Sequence, residues 1–197
     1  MNVRYVGGAW TPGEYPDAKL PEVALIGRSN VGKSSIVNTL LRQRQLARVS
    51  STPGRTQAVH FFAVEGEVCL VDLPGFGFAK APKAVREGFG PLIRGYLDGR
   101  EALRAVLLLV DIRREPGEEE RELARLVLSQ GVRLLLVVTK IDKVARTRRP
   151  ARYDALGAAL GVVKGDVVGF STIEGIGRDE LWRRVLREAS RGGGRGK

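Results

Sequence analysis

The sequence predicts a three-layer α/β domain: a mostly parallel six-stranded sheet with one antiparallel edge strand and helices on both faces. Three observations carry this. Apolar runs at 105–110 and 132–138 show no polar alternation, the pattern of strands buried on both faces. Segments of helical period stand around them at 118–129, 151–160 and 178–189. A glycine-rich stretch at 27–34 lies between a strand pattern and a helix pattern, where open parallel sheets gather ligands.

Taken in order, residues 1–21 are rich in Gly, Pro and Tyr and read as an extended N-terminal arm. Residues 22–190 read as one domain, and the glycine-basic stretch 191–197 as a flexible tail. Val23 to Ile26 is a short strand, followed after the glycine-rich loop by a helix at 33–41 with Ile36, Val37, Leu40 and Leu41 on one face. The polar, basic stretch 43–55 contains Thr52-Pro53-Gly54 and is a loop. Segments 57–64 and 67–71 are β-rich and meet at Glu65-Gly66, an antiparallel hairpin. After a Gly/Pro-rich loop at 73–81, residues 83–97 form a helix made irregular by Gly88, Gly90, Pro91 and Gly95. Strands at 104–110, 132–138 and 167–170 then alternate with the three helices, the first of which opens on Glu118, Glu119 and Glu120, acids suited to a helix N-terminus.

A chain of 197 residues buries a full core without disulfides, and with a single cysteine, Cys69, it can form none internally. No apolar run approaches the length of a membrane span, and the first 15 residues lack a signal-type apolar centre. The expectation is a cytoplasmic monomer with no integral membrane part. The net charge of +11, from 33 basic and 22 acidic residues, points to a polyanionic partner such as RNA or an anionic membrane surface.

Gly27-Arg28-Ser29-Asn30-Val31-Gly32-Lys33-Ser34 matches G-x-x-x-x-G-K-S between a strand and a helix. Glycines let backbone N–H groups curl around phosphate oxygens, and the helix N-terminus adds positive dipole. Lys33 is expected on the β- and γ-phosphates and Ser34 on Mg²⁺. Asp72-Leu73-Pro74-Gly75 is a D-x-x-G motif at a strand end, 38 residues after Ser34. Asp72 is expected to hold Mg²⁺ through a water, with the Gly75 N–H meeting the γ-phosphate. Thr139-Lys140-Ile141-Asp142 matches [N/T]-K-x-D. Asp142 can accept guanine N1–H and N2–H, a donor pair that adenine lacks, and an unpaired carboxylate costs a few kcal/mol. The Lys140 stem can lie over the base, and the Thr139 hydroxyl can brace the phosphate loop. Phe170-Ser171-Thr172 follows the last strand, where a serine often supports a backbone N–H to guanine O6. In the loop before the hairpin, Thr56 is the expected further Mg²⁺ ligand, with Thr52 as the alternative.

Together with Thr52-Pro53-Gly54-Arg55-Thr56-Gln57 and Asp72-Leu73-Pro74-Gly75-Phe76-Gly77, these segments make the chain resemble the bacterial EngB GTPases, of the TrmE–Era–EngA–EngB–septin group. The likeness runs from about residue 22 to 186. The resemblance implies a Ras-like P-loop domain that binds GTP or GDP with Mg²⁺. It also implies a role in large ribosomal subunit assembly, with precursor rRNA and ribosomal proteins as partners, and a need in cell division and septation. It carries over Ser34 and Thr56 as Mg²⁺ ligands. Around GTP it places residues 27–34, Gly54, Arg55, Thr56, Gln57 and Ala58, then 72–75, 139–142 and 170–172.

The position after D-x-x-G is Phe76, where Ras-like switches usually place a water-orienting glutamine. Slow intrinsic turnover is therefore expected, at or below about 10⁻⁴–10⁻² s⁻¹. The catalytic set is Lys33, Thr56, Gly75 and Asn30, since related GTPases bind K⁺ beside the phosphates through an asparagine at Asn30; plain loop stabilisation is the alternative. Basic clusters at 143–152, at Arg42, Arg44, Arg48 and Arg55, and along Arg183, Arg184, Arg187, Arg191, Arg195 and Lys197 are candidates for rRNA. Two functional classes stay open: a GTPase switch, and a nucleotide-gated RNA- or ribosome-binding module whose hydrolysis is incidental.

Overall fold

A computed structural model describes residues 1–43, 58–77 and 83–191, with the backbone alone over 83–90. In chain order the elements are β1 (Val3–Ala9), β2 (Glu22–Gly27), α1 (Lys33–Leu40), β3 (Val59–Val64), β4 (Val68–Asp72), α2 (Lys83–Gly99), β5 (Leu103–Asp111), α3 (Glu118–Ser129), β6 (Arg133–Thr139), α4 (Arg149–Leu160), β7 (Val167–Phe170) and α5 (Arg178–Ser190). The strands form one sheet in the order β1-β3-β4-β2-β5-β6-β7. Strands β4, β2, β5, β6 and β7 pair in parallel, and antiparallel pairing is confined to the β1–β3–β4 edge.

The sheet has seven strands rather than the six expected. The additional one is β1, drawn from the segment read as an arm. It pairs with β3 from Val3↔Val64 to Ala9↔Val59, with a register shift between Tyr5 and Gly7. That bulge and the Gly7-Gly8 pair hide the alternation by which a strand is recognised. The β3–β4 hairpin turns through Glu65 (φ 51°), Gly66 (φ 77°) and Glu67, whose N–H donates to Val64 O (2.9 Å).

Alternating residues of the central strands supply two cores. Ala24, Ile26, Val106 and Leu108 pack with Leu92, Tyr96, Leu123 and Leu156 under α2, α3 and α4. Val23, Leu25, Leu107 and Leu109 pack with Ile36, Val37, Leu181 and Val185 under α1 and α5. Fully burying such side chains contributes roughly 1.5–3 kcal/mol each. One polar network crosses the lower end of the sheet. Buried Glu22 accepts from Tyr96 Oη (2.8 Å) and from Arg100 Nε (2.8 Å) and Nη2 (2.6 Å), which fastens the C-terminal half of α2 to the start of β2. Among the described residues, no helix is long and apolar enough to cross a membrane.

Candidate nucleotide-binding site

The C-terminal ends of β2, β4, β5, β6 and β7 face one edge of the sheet, and the motif residues gather there. β2 ends at Gly27, where a Cβ would lie 2.8 Å from Leu109 O, so the loop leaves the sheet through a space only glycine fits. Asn30 (φ 63°) and Gly32 (φ 106°) turn the chain back, and Gly32 caps α1. The first turn of α1, with Lys33 and Ser34, therefore presents its unshared N–H groups and positive dipole to the centre of the loop. Lys33 Nζ donates to Asp72 Oδ1 at the end of β4.

Beyond Asp72 the D-x-x-G segment lies along the same loop. Leu73 N–H donates to Leu25 O (3.0 Å), Phe76 N–H to Gly27 O (3.3 Å), and Ser29 N–H to Phe76 O (2.8 Å). Leu73 and Pro74 are buried, and a Cβ on Gly75 would come 3.3 Å from Gly27 O. The Phe76 ring is buried in the core under α2 and α3. Arg28 leans the other way, onto the start of α3, with Glu120 at 3.8 Å and Glu119 at 3.9 Å.

On the opposite side of the loop, Thr139 Oγ1 donates to Val31 O (2.9 Å), with Val110 O at 3.4 Å as a second acceptor. Lys140, at φ 56°, sends Nζ to Asn30 O (2.7 Å). Buried Ile141 packs into the core. Ser171 Oγ donates to Asp142 Oδ1 (2.7 Å) and accepts from the Glu174 N–H (3.0 Å). The Ser171 hydroxyl holds the Asp142 carboxyl below the usual carboxylate range, with Lys143 adding to the effect. Phe170 is buried behind this pair and Thr172 is exposed.

Asp111 and its partner Arg113 escape the motifs. Asp111, at the tip of β5, accepts from Arg113 Nε (2.9 Å), Nη2 (2.7 Å) and N–H (3.0 Å), and its Oδ2 lies 3.2 Å from Lys140 Nζ. Its carboxyl is held far below the usual range, chiefly by Arg113. The sequence signal was slight: a carboxylate closing an apolar strand, with a cation two residues on. Ala58 is buried just ahead of β3. Gly54, Arg55, Thr56 and Gln57, with the alternative Thr52, lie outside the described residues.

No group of three or more His, Cys, Asp or Glu that could hold a metal occurs among the described residues. The donors at hand are the Asp72 carboxylate and the Ser34 hydroxyl, two hard oxygens. That sparse set fits Mg²⁺, which keeps waters and takes further ligands from substrate phosphates.

A family model described as a 50S ribosome-binding GTPase matches residues 22–140, more than half of the chain. A "probable GTP-binding protein EngB" of Geobacter metallireducens is 46% identical over 184 residues, 93% of this chain and 90% of the relative. One of Syntrophus aciditrophicus is 45% identical over 187 residues, 95% of each chain. The crystal structure of a probable GTP-binding protein engB superposes over 85% of this chain and 99% of its own, with a TM-score of 0.69 at 23% identity, a likeness of fold. With the guanine motif, phosphate loop and D-x-x-G segment brought to one edge of such a fold, the chain belongs to the EngB family of GTP-binding proteins and is a GTPase.

Proposed function

We propose that this GTPase is a Mg²⁺-dependent switch that assists assembly of the large ribosomal subunit and is needed for normal cell division. The observation that carries the switch is the wiring of two motifs onto the phosphate loop, by Thr139 to Val31, Lys140 to Asn30 and Phe76 to Ser29. The ribosomal part is supported by the description of the matched family as 50S ribosome-binding and by the net charge of +11.

In this reading residues 27–34 cradle the phosphates and Asp142 reads guanine, with Lys140 over the base. Phe170 and Thr172 border the base through the Ser171 loop. Ser34, Asp72 and Thr56 would hold Mg²⁺, which supplies charge neutralisation at the β- and γ-phosphates. Lys33 adds a second positive charge there, and the α1 N-terminus stabilises the oxygens as charge shifts toward the leaving GDP. Water attacks the γ-phosphorus in line, while the Gly75 N–H steadies the transferred group. Phe76 offers no hydrogen bond to that water, so intrinsic turnover is slow. Asn30 is the K⁺ candidate: a faster rate in KCl than in NaCl supports it, and equal rates overturn it.

The switch is tested by co-sedimentation with large subunits in GDP and in a non-hydrolysable GTP analogue, alongside multiple-turnover hydrolysis with and without those particles. Nucleotide-dependent pelleting and stimulated hydrolysis are expected. A second reading, a nucleotide-gated binding module with incidental hydrolysis, is favoured by the buried, backbone-pinned Phe76. Pelleting without stimulation would select it.

A further inference from the structure

The end of the sheet opposite the nucleotide carries a second charged surface, with two adjoining hollows. One, of about 280 Å³, lies between α5 and the turn at Gly165, lined by Arg183, Arg184, Arg187 and Glu180. The other, of about 820 Å³, lies under the starts of β5 and β6, with Arg104, Arg133 and Arg191 on its walls. Arg183, Arg187 and Arg191 stand at i, i+4 and i+8, so they form one stripe along the outer side of α5 and its end, all three exposed. Successive members lie about 6 Å apart along the axis. That spacing suits successive phosphates of a nucleic acid strand.

Two acids of this surface point inward, while Glu180 and Glu101 on the walls of the hollows keep more exposed carboxylates. Glu188, between Arg187 (3.1 Å) and Arg191 (2.6 Å), is 1% exposed, and Asp166, paired with Arg133 (2.7 Å), is 5% exposed. They fix the guanidinium groups while leaving N–H edges turned to solvent. The cluster at 143–152 is partly spent in pairs: Arg149 is buried against Glu174, Arg152 holds Glu115 and two carbonyls, and Lys143 pairs with Asp142, while Arg146 and Arg148 stay exposed. We propose that the arginine track over α5 and the adjoining hollows docks the phosphate backbone of RNA, holding it at the end of the sheet opposite the nucleotide. This rests on the ribosomal reading above and names the surface that would serve it. An anionic membrane is disfavoured because the apolar side of α5 (Leu181, Val185, Ala189) is buried in the core and has nothing to insert. Because the track lies away from the nucleotide edge, its own affinity for RNA is independent of GDP or GTP, and the nucleotide dependence expected of pelleting comes from contacts at the nucleotide edge.

The test is fluorescence anisotropy of the full chain with a labelled RNA duplex across a salt series, comparing wild type, R183Q/R187Q, and R121Q/R125Q on α3. Both variants remove two charges and leave every nucleotide-site residue in place. The track variant should bind more weakly, with a log–log salt slope smaller by about 2, one per lost phosphate contact. The α3 variant should match wild type, GTP hydrolysis should be unchanged in all three, and GDP or a GTP analogue should leave RNA affinity alone. An unchanged slope in R183Q/R187Q, an equal loss in R121Q/R125Q, or tighter binding to phosphatidylserine vesicles than to RNA overturns the proposal. Pelleting with large subunits separates the two claims. If wild type and track variant pellet alike, the track is wrong and the ribosomal reading stands. If wild type pellets in neither nucleotide state, that reading falls, while the anisotropy result still decides whether the track holds RNA.

Discussion

In the proposed nucleotide site, the phosphate side takes its shape from backbone: two residues at positive φ, a helix N-terminus, and a D-x-x-G segment zipped to the loop by amide–carbonyl bonds. On the base side, shape comes from side chains held by other side chains, Ser171 on Asp142 and Asp111 on Lys140. A backbone site binds whatever carries phosphates, so damage there removes all nucleotide affinity. A side-chain site sets a preference among bases, so damage there changes selectivity first.

Lys33→Ala is the largest expected effect. Losing a charge-assisted partner costs about 2–5 kcal/mol, and the upper half of that range, more than ~300-fold in Kd, is expected for every nucleotide by calorimetry. Retained GDP affinity would break the comparison. Next is Asp142→Asn: GDP affinity should fall about 100-fold, by roughly 3 kcal/mol, and xanthosine diphosphate should gain, because the new amide donates where xanthine offers a carbonyl. Equal losses for guanine, xanthine and adenine nucleotides would mean that Asp142 is not a reader.

Thr139→Val sharpens the division, since this base-motif residue reaches the phosphate loop. Leaving Val31 O without its donor should weaken all nucleotides alike, by about 1 kcal/mol or ~5-fold, with the guanine-to-adenine ratio unchanged. Ser171→Ala should be milder near neutrality and clearer in acid. A carboxyl with a depressed pKa favours its ionised form above the ordinary value, and that gain is lost only as pH falls through the lowered one. Without the hydroxyl, the acid limb of GDP binding should therefore move to higher pH. An unmoved limb would show that Ser171 does not set the Asp142 charge.

Much of this was legible beforehand because the signals are local. Three glutamates opened α3 at the residue expected, Glu65-Gly66 closed the hairpin, and β7 matched its apolar run. Ser171 does take a backbone N–H, that of Glu174, but its bond to Asp142, 29 residues away, is one that no local pattern announces. For Asp111 the signal was half local: Arg113 stands two residues on, but Lys140 comes beside it only once β5 and β6 lie side by side. β1 was missed because an edge strand with a bulge and two glycines owes its extended form to β3 rather than to its own residues.

The sequence alone determined the fold class and marked the candidate phosphate and guanine motifs, because the φ demands of glycine, helix period and strand hydrophobicity act over a few residues. Tertiary structure decided which side chain holds which, and which basic residues of each cluster are tied to carboxylates. Those outcomes depend on distances between strands and helices remote in the chain, and on burial that places Glu188 and Asp166 inward and leaves their arginines facing water.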